Sequence, residues 1–151
     1  MKFNNKVTGN RGEELATEYL RKKGYKIEER NFRTRFGEID IVCWDGQTLV
    51  FVEVKTKIGH DFGEPEEMVN KGKLERVRRM GEIYLEIKKS DLNRHCEVAQ
   101  ATVAIHPLDR RVGLPPRDDE GWKGGCRVDV VAIVLKETGE VEKLEHYEAV
   151  Y

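Results

Sequence analysis

The sequence has few residues that could cross-link it, and no segment that could carry it through a membrane. Only three cysteines occur, Cys43, Cys96 and Cys126; the number is odd and no spacing among them matches a zinc-ligand pair. A reduced cytosolic compartment is the simplest expectation. No apolar run approaches the roughly 18 residues of a membrane span. The start, Met1-Lys2-Phe3-Asn4-Asn5, has no apolar signal region, so neither a membrane nor export is expected. An excess of charge of one sign is also missing, with 27 Lys and Arg against 28 Asp and Glu, a formal net charge of −1. That excludes a uniformly cationic nucleic-acid binder but leaves room for local basic patches. Charge itself is abundant, at 36% of residues beside 38% hydrophobic, a wet but globular composition. A chain of 151 residues is long enough for one real core, so a single domain over residues 1–151 is expected.

The elements follow from periodicity. Asn10 to Lys23 reads as a first helix, with Leu15, Ala16, Tyr19 and Leu20 at helical spacing and Gly24 placed as a C-terminal cap. Tyr25 to Arg33 is extended. Two strands, Gly37 to Trp44 and Thr48 to Lys55, are joined through Asp45-Gly46, a strong hairpin signal. After a loop from Gly59 to Pro65, a second helix runs from about Val69 to Lys88, its stripe made by Leu74, Val77, Met80, Tyr84 and Leu85. Glu97 to Ile105 is a candidate strand, and His106 to Gly125 a long loop holding three of the four prolines. Cys126 to Leu135 is a valine-rich strand and Val141 to Tyr151 a further extended segment. This order predicts an α/β domain, a mixed sheet flanked by helices.

The hairpin carries the chemistry. With Asp45-Gly46 as the two central turn residues, Trp44 faces Gln47, Asp40 faces Phe51 and Glu38 faces Glu53. One face then holds Ile39, Ile41, Cys43, Val50, Val52 and Val54, all apolar. The other is apolar near the turn and charged at its open end, with Glu38, Asp40, Glu53 and Lys55. Asp40 and Glu53 become diagonal neighbours, with Cβ atoms ~7 Å apart, close enough to share a cation. Mg²⁺ takes hard oxygen ligands, usually one or two carboxylates with waters and substrate phosphate. Lys55 projects from the same side and could hold a water or steady charge on a phosphate. A solvated salt-bridge cluster at a sheet edge is the competing reading of the same pattern.

Taken as an ordered set, these residues resemble a known family. Gly12-Glu13, Asn31-Phe32-Arg33, Gly37-Glu38-Ile39-Asp40-Ile41 and Phe51-Val52-Glu53-Val54-Lys55 are similar to the bacterial YraN family, as are Phe62-Gly63-Glu64-Pro65, Lys73, Arg127-Val128-Asp129-Val130-Val131 and His146. That family is assigned to the PD-(D/E)xK nuclease superfamily, to which archaeal Holliday-junction resolvases also belong. The resemblance covers Gly9 to Tyr151 apart from an inserted segment at about 97–125. It implies a restriction-endonuclease-like core and Mg²⁺, with Mn²⁺ as a substitute. Asp40 and Glu53 would bind the metal, joined by the Val54 carbonyl and by Glu13 from the first helix. Lys55 would be the catalytic lysine and Lys73 an auxiliary cation near the scissile phosphate. Ile39 stands where the superfamily name has proline, and Lys57 where arginine is usual.

Each candidate has a plainer role beside it. Glu13 could close a capping box with Asn10, and Lys73 could extend from the core edge. Glu38, opposite Glu53, could support the metal ligands from behind, but a charge at a strand end is the expected role. Asp129, inside an apolar strand, should pair with Arg127 or Arg33. His60 and His146 are expected to be incidental. Arg33, Arg35, Lys57 and Arg76 are the candidates for contact with a phosphate backbone, within basic stretches that could equally be solvated surface. The expectation is therefore a Mg²⁺-dependent endonuclease acting on DNA, branched or structured by analogy with resolvases, and a homodimer on the same analogy. The rivals are a non-cleaving nucleic-acid binder of the same fold and a protein-interaction module using the 106–125 loop.

Overall fold

The computed structural model describes residues 5–59, 70–101 and 125–150, with side chains described at 6–59, 70–88 and 125–150. Helix α1 (Asn5–Lys22) leads into strands β1 (Lys26–Thr34), β2 (Gly37–Asp45) and β3 (Thr48–Ile58). Helix α2 (Lys71–Ala101) is followed by β4 (Cys126–Leu135) and β5 (Val141–Tyr147). The five strands form one sheet in sequence order. β3 and β4 are parallel and the other neighbours antiparallel, so the sheet is mixed. The fold is α/β, compatible with a restriction-endonuclease-like core. No described helix is long and apolar enough to cross a membrane.

Among the described residues, each face of the sheet is covered by one helix. Ala16 and Leu20 of α1 pack with Tyr25, Ile41, Cys43, Val50, Val52, Val131, Ile133 and Leu135. Leu74, Val77, Met80 and Tyr84 of α2 pack with Phe32, Ile39, Val42, Leu49, Phe51, Val128 and Val130. α1 ends as its sequence dictates: Gly24 has φ 94°, and the Tyr25 N–H donates to the Leu20 carbonyl at 3.0 Å. α2 is capped by Asn70, whose side-chain oxygen accepts from the Gly72 N–H at 2.9 Å. Gly81 lets α2 approach β3, since a Cβ there would lie 2.5 Å from the Phe51 ring.

Several boundaries differ from those expected. α1 already includes Asn5, so Asn10 is inside the helix and forms no capping box with Glu13. α2 runs on through Glu97–Ala101, where a strand was expected; Glu, Ala and Gln are strong helix formers and extend the ladder already in place. The rest of that expected strand, and the loop at 106–124, lie outside the described residues, as do His60 and Phe62 to Pro65. Cys43 and Cys126 are both free.

The hairpin turns one residue later than expected. Asp45 pairs with Thr48, leaving Gly46 and Gln47 as the central residues. Gly46 has φ 58°, the requirement of a turn with glycine at its first central position. Asp45 is kept in the strand by Arg127, 2.8 Å away on β4. The register therefore moves by two residues, which conserves the faces because side chains alternate with period two. Ile39 is the exception. It was expected beside Ile41 and Cys43 but packs on the α2 side with Phe32 and Val42, because β2 leaves its ladder with β3 at Ile41 and the alternation does not carry across Asp40.

Candidate active site

The end of the β2–β3 ladder is where the acids meet. The last pair is Ile41 with Val52. One step beyond, Asp40 uses its side chain instead of its backbone: Oδ2 accepts the Val54 N–H at 2.7 Å. This ties the acid of β2 to the residue after Glu53. Glu53 is 5% exposed, the more buried of the two acids, and its Oε1 is held by Lys55 at 3.0 Å and by Lys73 from the capped first turn of α2. Asp40, Glu53, Lys55 and Lys73 thus form one linked cluster on β2, β3 and α2.

Electrostatics follow from this crowding. Burial, then the neighbouring Glu53 charge, pushes the Asp40 carboxyl up to about 7, against the pull of the Val54 N–H. Glu13 acts on Asp40 in the same sense. Burial and the hydrogen bond with Lys73 lower the Lys55 pKa below its ordinary value. Burial also works against the charge on Lys73, but its bond to Glu53 more than offsets this and its pKa is raised. Glu13 is at the border of the cluster. Its Oε2 accepts from Asn31 Nδ2 at 2.9 Å and lies 4.0 Å from Arg30. Asn31 reaches it from a left-handed backbone, φ 53°, a conformation that asparagine tolerates better than most residues.

The donor chemistry fits a hard divalent ion. Asp40 and Glu53 offer carboxylate oxygens, and Asp40 keeps Oδ1 clear of the bond to Val54. Among the described residues no three acidic, histidine or cysteine side chains converge on one point. Asp40 and Glu53 alone would supply two carboxylates, the number Mg²⁺ commonly takes beside water and phosphate. Val54 meets Asp40 through its N–H.

A groove of about 570 Å³ meets this cluster at Glu53 and Lys73 and is lined further by Arg76 and by the β1–β2 turn from Arg33 to Glu38; Asp40 and Lys55 do not line it. Arg33, Arg35 and Arg76 are thus brought to one place, as a phosphate-contact role requires. Lys57 is not; it is exposed farther along β3. Glu38 pairs with Arg33 at 3.1 Å across the strand ends, the plainer role expected of it, and of the two arginines expected for Asp129 it is Arg127 that bonds to it.

The ordered residues of this cluster all fall within a family match. A family model described as "Uncharacterised protein family UPF0102" matches residues 12–133. The chain belongs to that family. A UPF0102 protein of Desulforamulus reducens is 33% identical over 147 residues, covering 97% of this chain and 96% of its own length. One from Syntrophus aciditrophicus is 45% identical over 108 residues, covering 71% of this chain and 84% of its own. One from Syntrophomonas wolfei reaches 53% identity over 81 residues, 54% of this chain and 70% of its own.

A second polar cluster lies on the α1 side. Asp129 is fully buried and bonds to Arg127 Nε at 3.0 Å, to His146 Nε2 at 2.8 Å and to the Ala149 N–H at 3.0 Å. Burial alone would raise its pKa; His146, Arg127 and the Ala149 N–H together bring it below the ordinary value. The pairing with Arg127 was expected from sequence. The role of His146 was not: its side chain is 1% exposed, with Nδ1 3.1 Å from Lys23 Nζ and its ring edge-on to Tyr19 and Tyr25. It is a structural link from β5 to β4 and α1, whose only signal in the sequence is a buried acid that needs partners.

Proposed function

We propose that this protein is a divalent-metal-dependent nuclease of the PD-(D/E)xK superfamily, hydrolysing phosphodiester bonds in DNA. The observation that carries the reading is the meeting of Asp40 and Glu53 where β2 parts from β3, with Glu53 lining an arginine-rich groove. Burial raises the cost of ionising Asp40, and the Glu53 charge beside it adds to that cost. Such a pair is well suited to a cation that neutralises both.

Asp40 and Glu53 would hold Mg²⁺ or Mn²⁺, with Glu13 and the Val54 carbonyl as further oxygen donors. The bound ion would supply Lewis acidity at the phosphate and a more acidic water. The chain's own groups do the rest. Arg33, Arg35 and Arg76 bind and orient the phosphate backbone along the groove. Lys55, with reduced proton affinity, orients the attacking water by hydrogen bonding and stabilises charge on the non-bridging oxygens as the P–O bond to the leaving sugar breaks. Lys73 fixes the Glu53 carboxylate and adds positive charge beside the phosphate. Branched DNA as the substrate, and a homodimer that cuts two strands, extend the analogy with resolvases.

The test is cleavage of linear, single-stranded and four-way DNA with Mg²⁺ or Mn²⁺. Asp40→Ala, Glu53→Ala and Lys55→Ala should each lower the rate roughly 100-fold or more while the fold survives, since each removes a group acting on the transition state. Undiminished cleavage by purified Glu53→Ala overturns the reading.

A further inference from the structure

The turn between β1 and β2 presents an aromatic ring to solvent at the rim of the groove. Phe36 is 56% exposed. The other large hydrophobics exposed among the described residues, Val7, Ile87 and Val141, are aliphatic and do not line the groove. An isolated exposed apolar residue is ordinary on a protein surface. Phe36 differs in how firmly it is placed.

The Phe36 N–H donates to Thr34 Oγ1 at 3.1 Å, and the Thr34 hydroxyl donates to Met80 Sδ on α2 at 3.4 Å. The next residue, Gly37, is so close to the same methionine that a Cβ there would lie 3.3 Å from Met80 Cγ. The turn is thus seated on α2 at both sides of Phe36, and the ring projects from a fixed support. Arg35 places its guanidinium 4.5 Å from the ring centroid. Guanidinium and ring form a stacked pair beside Arg33, Arg76 and Lys73 in the same groove.

We propose that Phe36, backed by Arg35, is a stacking platform for an unpaired nucleobase, so that the groove selects DNA with unstacked nucleotides. The inference rests on the reading of the groove as a nucleic-acid channel. Within a duplex the base faces are already covered by their neighbours and only edges and phosphates are offered. An unpaired base offers a bare face, and stacking on an aromatic ring is indifferent to which base it is. The arginines meanwhile contact phosphates, which single strands and duplexes share. Phe36 therefore discriminates by strandedness and the arginines do not. A junction or flap supplies both features.

The test is fluorescence-polarisation titration of the full chain with a labelled oligothymidylate and with a duplex of the same length, in metal-free buffer at one salt concentration. Phe36→Ala should weaken single-strand binding roughly tenfold or more and duplex binding far less. Phe36→Trp should restore the single-strand affinity, because a larger ring stacks as well. Arg76→Ala should weaken both. Equal losses on the two substrates with Phe36→Ala, no loss on the single strand, no rescue by Phe36→Trp, or no binding to either substrate overturns the proposal. These titrations need no cleavage. Strand selection can hold in a protein whose Glu53→Ala variant shows the nuclease reading to be wrong, and Glu53-dependent cleavage can hold where Phe36→Ala changes nothing.

Discussion

Asp40 pays an electrostatic penalty in the metal-free protein, and removing its charge should make that protein more stable. Its carboxyl moves from 3.8 to about 7 on folding. At about 1.4 kcal/mol for each tenfold change in proton affinity, this bounds the cost near 4 kcal/mol, and partial solvent screening reduces it to about 2 kcal/mol. The sign follows from proton counting. Between pH 3.8 and about 7 the folded protein binds more protons at this site than the unfolded chain, so stability contributed here is present at low pH and declines as pH rises through that window. Asp40→Asn keeps an oxygen acceptor for the Val54 N–H but cannot ionise. In urea denaturation with chelator, the variant should gain little over the parent near pH 4 and about 2 kcal/mol at pH 8. Adding Mn²⁺ at tenfold over its Kd should stabilise the parent by about 1.4 kcal/mol, and Asp40→Asn by much less. A variant at pH 8 no more stable than the parent would refute the account of crowded carboxylates.

Two further predictions concern packing and the second cluster. The Asp129 carboxyl is depressed below 3.8, so its contribution is present above that value and lost as pH falls through the folded pKa. Asp129→Asn should cost about 3 kcal/mol at pH 7 by removing the buried carboxylate on which Arg127, His146 and the Ala149 N–H converge, with an acid limb of the urea-midpoint profile flatter than the parent's. A Cβ at Gly12 would overlap the Thr56 side chain, whose buried Oγ1 has no hydrogen-bond partner among the described residues. Gly12→Ala should therefore cost about 1–3 kcal/mol, and combining it with Thr56→Ala should recover most of the loss. Additive losses in that double variant would rule out direct contact as the cause.

The parts of this molecule written in local pattern were legible, and the parts written in distant pairing were not. Cys126–Leu135 matches the strand read from its valine-rich run because both of its faces are covered. The cap at Gly24 was readable because only glycine takes φ 94° without strain. The hairpin was half legible: Asp-Gly announces a turn, but which residue is central depends on Arg127 holding Asp45, a partner 82 positions away. The faces of Asp40 and Glu53 survived that error because a shift of two preserves alternation. Ile39 did not follow, since its side is decided where β2 leaves β3. His146 looked incidental because nothing near it in sequence indicates a buried acid on the neighbouring strand. Glu13 looked able to cap because the start of its helix lies at or before Asn5, in residues with little apolar periodicity.

β3 and β4 are neighbours in space, in parallel register from Leu49 with Cys126 to Ile58 with Leu135, yet 67 residues separate the end of one from the start of the other. Every side chain of the acidic cluster, Lys73 included, precedes position 74, early in that crossover. Once both strands are aligned, lengthening the intervening chain adds only about 0.6 kcal/mol for each doubling. An extra residue between Asp45 and Thr48 would have a different result, because it changes the alignment of β2 against β3 on which Asp40 depends. Homologous chains can therefore grow or shrink between α2 and β4 at little thermodynamic expense, while the hairpin tolerates almost no change in length.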